Sequence, residues 1–279
     1  MNIKVFPFVP LAAAASFLPA SGIAQSPWLP APHRLELTPR YVYESFDEFW
    51  MGSSTKVGLP DDVVQQSALL SAEYGLSTDW ALDTTLGYAW VDTSAFGQDA
   101  SDSGLSDSRI GARWRFLDEN ETAASWYPSL TLRAGAVIAG TYDEGLPFSA
   151  GDGAHGGECS LLFGKTLGGS GFGFYGEFGY RVREHPVPDD LFGSVGVFQS
   201  IGPVTLGAGY RHCQALDGMN IGDPGFTFPE LKEVTQLFEF GVGFRDKLGL
   251  YYQAFGALSI DGQNTGDKLI LGVSFTFGF

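Results

Sequence analysis

Apolar residues recur at every second position in segment after segment of this chain, and a period of two fits a β-strand with two unlike faces. The stretch 268–279 shows it most plainly. Leu269, Leu271, Val273, Phe275, Phe277 and Phe279 fall on one face, while Lys268, Ile270, Gly272, Ser274, Thr276 and Gly278 fall on the other. The same rhythm sets Leu130, Leu132, Ala134, Ala136 and Ile138 against Ser129, Thr131, Arg133 and Gly135, and Phe172, Phe174, Phe178 and Tyr180 against Tyr175, Glu177, Arg181 and Arg183. It returns as Phe238, Phe240, Val242 and Phe244 against Glu239, Gly241 and Gly243. With 38 glycines, 23 phenylalanines and 11 tyrosines spread along the chain, composition also points to β-structure.

Twelve such segments stand at about 34–48, 63–75, 80–92, 105–116, 128–140, 155–166, 172–184, 190–200, 204–214, 233–244, 249–260 and 268–279. Each reaches the roughly 9–11 residues that a tilted membrane-spanning strand needs. Alternation alone would also suit a secreted β-sandwich, so the connections must decide. Those at 77–79, 168–171, 202–203 and 245–247 are tight, whereas 49–62, 93–104, 141–154 and 215–232 are long. Short periplasmic turns opposite long outward loops are the mark of an outer-membrane barrel. The connections 117–127 and 185–189 break the rule, the first being long and the second short. Aromatic residues gather at strand ends, with Trp114, Phe116, Trp126 and Tyr127 toward the periplasmic rim and Tyr88 and Trp90 toward the outer one. The expected fold is therefore all-β, an antiparallel up-and-down transmembrane β-barrel of about twelve strands in the outer membrane of a Gram-negative-type cell.

The N-terminus agrees with that compartment. A charged start at Lys4, an apolar stretch from Val5 to Ala20 broken by Pro7, Pro10 and Pro19, and the small-residue site Gly22-Ile23-Ala24 read as a signal peptide. Residues 1–24 are thus expected to be removed, leaving 25–279 as one barrel domain. No apolar run after residue 24 approaches the ~18 residues of a membrane-spanning helix. A net charge of −16 argues against a nucleic-acid partner. The acids cluster between strands at Asp99 and Asp102, Asp143 and Glu144, Asp189 and Asp190, and Asp217 and Asp223. They read as solvated loop charges, with bridging to lipopolysaccharide through divalent cations as the alternative. Cys159 and Cys213 could pair in an oxidising periplasm, although alternation sets them on unlike faces. His33, His155, His185 and His212 show no metal-ligand spacing, and no metal or cofactor is expected.

If the apolar face meets lipid, the polar face lines a lumen. Inward candidates include Glu36, Arg40, Glu44, Glu73, Asp83, Asp107 and Tyr175. The residues best placed to form a constriction are Arg109, Arg113, Arg115, Arg133, Glu158, Glu177, Arg181, Arg183, Arg211 and Glu239. Opposed rows of acid and base could set a transverse field across a pore, or could close a narrow barrel with salt bridges. About ten residues between the cleavage site and the first strand are too few for a plug domain. The expected obstruction is therefore lumen side chains or an infolded loop, and 215–232 is the apolar candidate with Met219, Ile221, Phe226, Phe228 and Leu231.

The stretch Gly104-Leu105-Ser106-Asp107-Ser108-Arg109-Ile110-Gly111-Ala112-Arg113-Trp114 resembles the glycine-aspartate-glycine strand motif of a family of outer-membrane proteins associated with the meta-pathway of phenol degradation. The resemblance continues through Ser129 to Gly140, Gly151-Asp152-Gly153-Ala154 and Gly207-Ala208-Gly209-Tyr210-Arg211. Where that family has Pro-Thr-Gly before its central loop, this chain has Ala139-Gly140-Thr141. The resemblance implies a channel or transporter for small, aromatic molecules and carries no binding residues. Phe275, Phe277 and Phe279 resemble the C-terminal signal read by the barrel assembly machinery. The expected function is passive or substrate-preferring uptake of a small-molecule solute across the outer membrane, without enzymatic activity and with membrane lipid, lipopolysaccharide and the assembly machinery as partners. Two alternatives stay open: a structural or adhesive barrel sealed by salt bridges, and a lipid hydrolase. For the second, His212 is the candidate base, but no serine stands out as its nucleophile.

Overall fold

A computed structural model describes residues 26–52, 55–94, 100–121, 126–143 and 149–279. The signal-peptide residues, Asp99 and Glu144 lie outside the described residues. Twelve antiparallel strands close on themselves: β1 (Leu35–Met51), β2 (Thr55–Gly75), β3 (Trp80–Thr93), β4 (Ala100–Leu105, resumed as Ser108–Leu117), β5 (Ser129–Ile138), β6 (Gly156–Thr166), β7 (Phe172–Arg183), β8 (Asp190–Ile201), β9 (Val204–Ala215), β10 (Val234–Arg245), β11 (Tyr251–Gln263) and β12 (Leu269–Gly278, led by the pair Thr265–Gly266). Each strand pairs with its neighbours in sequence, and β1 closes the ring on β12 with Glu36 opposite Gly278 and Ser45 opposite Leu269. Closure leaves no free strand edge, which is why such a sheet can stand in hydrocarbon. Helix among the described residues is confined to two short 3-10 turns, Gly168–Ser170 and Phe228–Glu230.

The alternation settles which face is which. Leu82, Leu86, Ile110, Leu132, Phe178, Val195, Val242 and Phe275 all stand exposed on the outside, with Phe178 63% accessible. Their strand neighbours Asp83, Arg113, Arg133, Glu177, Ser194 and Ser274 are buried inside. An apolar band running round the barrel far exceeds what a water-facing surface carries, and it fits a lipid surround. The periplasmic rim is edged by stacked Trp80 and Trp114, 6.0 Å apart, with Phe116 and the stacked pair Trp126 and Tyr127. Tyrosine hydroxyls mark the outer edge, Tyr41 donating to Gln66, Tyr88 bonding Ser103 and Tyr210 donating to Gln236.

Inward aromatic rings lie flat over glycines of the next strand. A Cβ on Gly196 would come within 2.5 Å of the Tyr175 ring, and one on Gly272 within 2.2 Å of Phe255. Glycine therefore supplies the space into which the large lumenal rings fold.

Two expected loops are different. The segment 49–62 is mostly strand, because the β1–β2 hairpin continues to a tip with Trp50 opposite Lys56. There the Lys56 ammonium sits 4.5 Å over the Trp50 ring and pairs with Glu48 and Asp267. Of the expected loop 93–104, residues 100–105 add to β3, Ala100 lying opposite Thr93. Asp190, expected among solvated loop acids, is buried at the start of β8. Phe178→Arg at mid-strand should cost about 2–4 kcal/mol if its surround is lipid; urea unfolding from lipid vesicles measures it, and a neutral result would contradict the lipid-facing assignment.

Candidate functional site

The lumen is built on the inward phase of the strands, and three levels can be distinguished. At the periplasmic end the chain preceding β1 turns up into the barrel and makes a floor. Trp28 is buried there with Tyr175 and Phe198, its ring edge-on to Phe198 at 5.8 Å. Its indole Nε1 donates to Glu119 Oε1 at 2.9 Å. The Ser26 carbonyl accepts from Arg113 Nη1 at 3.2 Å, and the Pro27 carbonyl accepts from Thr131 Oγ1 at 2.7 Å. The long periplasmic connection 117–127, anomalous by the turn rule, has a use here. Its Glu119 also accepts the Thr166 backbone N–H at 2.8 Å and pairs with Lys165 at 3.3 Å, so one carboxylate joins the floor to β6.

This corrects the expectation that the obstruction would come from lumen side chains or an infolded loop alone. A plug domain is not needed, because a bore this narrow is occupied by three residues.

Above the floor, arginines and carboxylates alternate along the wall. Arg113 pairs with Glu73 and lies 3.6 Å from Asp83; Arg133 reaches Asp83 at 2.7 Å and pairs with Glu158. Arg181 bonds Glu158 at 3.1 Å and Asp190 at 3.2 Å, and Arg183 lies 3.8 Å from Asp190 and 3.6 Å from Asp107 while pairing with Asp152. Because β-sheet pairing sets each of these residues beside the next strand's, the series runs from β2 to β8 as one connected ladder, from the floor to the outer mouth. Arg211 and Glu239 form a separate buried pair at 2.7 Å across β9 and β10.

At the outer end the ladder borders a cavity of about 460 Å³. Arg109, Arg181, Arg183, Asp190 and Arg211 form one wall, and Phe46, Phe49, Val63, Leu237 and Ile270 form much of the opposite one. Phe228, Pro229 and Leu231 of the loop 216–233 also line it. Met219 bridges to Leu231, Phe226 packs edge-on to Phe228 at 5.1 Å, and Ile221 lies apart, beside Met51 and Thr55 at the hairpin tip. The expected infolded loop is therefore present in part.

A second infolded loop carried no signal in the sequence beyond its length. In loop 139–155, Tyr142 is buried and donates to Asp107, which also accepts the backbone N–H groups of Gly140 at 3.0 Å and Asp152 at 3.3 Å. Burial and this hydrogen bond to a carboxylate push the Tyr142 phenol well above its ordinary range. Asp107 sits in the interruption of β4, so the break in that strand is where the loop is tied down.

Of the residues expected to form a constriction, Arg113, Arg133, Glu158, Arg181 and Arg183 join in the ladder, and Arg211 with Glu239 in the second pair. Glu177 is buried in the lumen on β7, and Arg109 lines the outer cavity. Arg115 departs from the group. It bonds Thr78 O at 2.7 Å and Asp118 at 2.7 Å at the periplasmic rim, one inward position below Arg113's level. Phe275 stacks on Phe277 at 5.7 Å and Phe279 meets Phe277 edge-on at 5.5 Å, in a row on the outside. Cys159 faces outward and Cys213 lies within hydrogen-bond reach of Asp190 at 3.8 Å, and both are free thiols. His212 has its ring nitrogens 3.5 Å from the Tyr210 hydroxyl and 3.4 Å from Gln214 Oε1, and neither contact is a serine.

Together these features define a closed outer-membrane β-barrel with a charged, largely filled lumen. No family model matches the sequence, and no curated protein sequence matches it either. Among solved structures, the COG4313 outer membrane channel from Pseudomonas putida F1 superposes with a TM-score of 0.72 at 13% identity, covering 90% of this chain and 97% of that one. The translocator domain of the autotransporter NalP from Neisseria meningitidis gives 0.48 at 11%, covering 88% of each chain. The P. putida toluene transporter TodX gives 0.45 at 9%, covering 90% of this chain and 91% of that one. At such identities the first likeness is one of fold.

Arg133→Met would leave Asp83 with Arg113 alone and Glu158 with Arg181 alone and should destabilise the barrel by about 3 kcal/mol, of which adding Glu158→Gln recovers a part; urea unfolding measures both. A Cβ on Gly164 would fall 2.6 Å from Pro27 Cγ and 2.8 Å from Trp28 Cη2. Gly164→Val should therefore expel the floor segment, seen as faster deuterium uptake by residues 26–34 with the strands unchanged.

Proposed function

We propose that this barrel is a channel that lets small molecules cross the outer membrane, with the outer cavity as the receiving chamber and the floor segment as the barrier to the periplasm. The observation that carries the reading is the unequal filling of the lumen. A sizeable chamber persists at the outer end, while the periplasmic end is closed by a short piece of chain held through a few hydrogen bonds and one aromatic cluster. A barrel serving only as a scaffold has no need of a chamber. An arginine-rich wall facing one that sets Phe46, Phe49, Val63, Leu237 and Ile270 among Glu44, Glu233 and Lys268 suits solutes with an apolar body and a polar group, and small aromatic compounds are such solutes. The resemblance of residues 104–114 to the proteins associated with phenol degradation supports that class.

The same reading takes residues 1–24 as a removed signal peptide, the row Phe275, Phe277 and Phe279 as the signal to the assembly machinery, and the acidic outer loops as the surface that meets lipopolysaccharide. It assigns no catalytic role. A lipid hydrolase built on His212 would need a nucleophile where Tyr210 and Gln214 now stand.

The test is single-channel conductance of residues 25–279 refolded into a planar bilayer, beside Trp28→Ala and a form lacking residues 26–30. Small discrete steps are expected from the parent, growing several-fold in both variants. Folded barrels that stay silent in all three forms would favour the sealed structural reading, for which the ion-pair ladder is the specific observation.

A further inference from the structure

Arg40 stands outside the ladder. Arg40 faces inward from β1, two inward positions below Glu44, which lines the outer cavity. It is 6% exposed, yet no carboxylate among the described residues lies within salt-bridge distance of it, and its Nη1 has no hydrogen-bond partner. Its guanidinium instead lies 5.9 Å over the Phe255 ring. An arginine cannot escape burial by losing its proton, and an ion-pair partner removed from a buried charge leaves a large penalty. Arg113, Arg133, Arg181, Arg183 and Arg211 each meet that requirement with a protein carboxylate.

From this contrast we propose that Arg40 holds a mobile small anion, a halide or the carboxylate of a small organic acid, and is the site that gives the lumen its anion preference. The proposal rests on the channel reading for its consequence but not for the site itself. A buried guanidinium with no fixed carboxylate, one inward position below Val42 of the apolar cluster with Leu237, Ala257 and Ile270, offers a passing anion an uncompensated positive charge that repels a cation. Rings of arginine or lysine are how anion pores select. A fixed carboxylate on Arg40 would have annulled the effect, and none is supplied.

Two measurements test it together. Crystals of the parent soaked in sodium bromide should show an anomalous peak within hydrogen-bond reach of the Arg40 guanidinium, absent in Arg40→Gln. In a potassium chloride gradient across a bilayer, Arg40→Gln should lower the anion-to-cation permeability ratio by roughly fivefold, the effect of one unit charge at a few ångströms under water-like screening, and Arg40→Lys should keep most of it. Bromide bound in a barrel that never conducts would retain the site and sink the channel reading. A conducting barrel with no bromide at Arg40 and an unchanged reversal potential in Arg40→Gln would overturn the proposal while leaving the channel intact.

Discussion

Charge buried inside a narrow barrel must be neutralised locally, and the rest of this structure follows from how that is done. Hydrocarbon outside forces the polar residues inward, and twelve strands enclose too little space for them all to be hydrated. Each guanidinium of the ladder is shared between two or more carboxylates, and Glu158, Asp83 and Asp190 are each shared between two guanidiniums. Such sharing fixes strand register, since slipping one strand by a residue would turn a ladder member into lipid. The β2–β8 side of the wall is thus tied by a continuous series of ion pairs, while the β1, β10 and β12 side sets the apolar cluster of Val42, Leu237, Ala257 and Ile270 beside isolated pairs such as Lys268 with Glu44 at 3.1 Å.

That asymmetry explains where the chamber and the obstructions lie. The ladder ends at Arg183, where Asp107 and Asp152 take over and draw loop 139–155 inward through Tyr142. At the other end it begins at Arg113, whose spare N–H holds the Ser26 carbonyl. Both closing elements are thus fastened to the charged wall, and the space left over lies between that wall and the side formed by β1, β2, β10 and β12.

Much of this was legible in the chain itself. The period of two marked the strands to within a few residues, since inward and outward neighbours differ in chemistry along nearly every strand. It also identified Arg113, Arg133, Glu158, Arg181 and Arg183 as inward, because phase alone decides that. Phase does not say which acid meets which base, and the ladder needed the register of each pair. It also could not separate Arg115 from Arg113, which share a face but differ in depth. Ser26, Pro27 and Trp28 escaped notice because three residues have no period, and their partners Arg113, Thr131, Tyr175 and Phe198 are far along the chain. Asp107 was placed inward by its phase, but Tyr142 and the bond between them were hidden for the same reason: a strand interruption tying down a loop is a tertiary event with no local pattern. The hairpin tip was misread as loop because Thr55 to Asp62 is exposed on both faces and so does not alternate.

The floor has a bearing on the order in which the barrel is made. Trp28 precedes every strand, yet the ring that covers it belongs to β8 and the glycine that admits it to β6. Contacts of such sequence separation form late. The pocket for Trp28 does not exist until the sheet has curled far enough for β6, β7 and β8 to face the start of β1. The first part of the barrel domain to be synthesised is therefore the last to find its place, and a sheet that fails to close leaves an indole and two prolines hanging in water as an exposed sign of the failure.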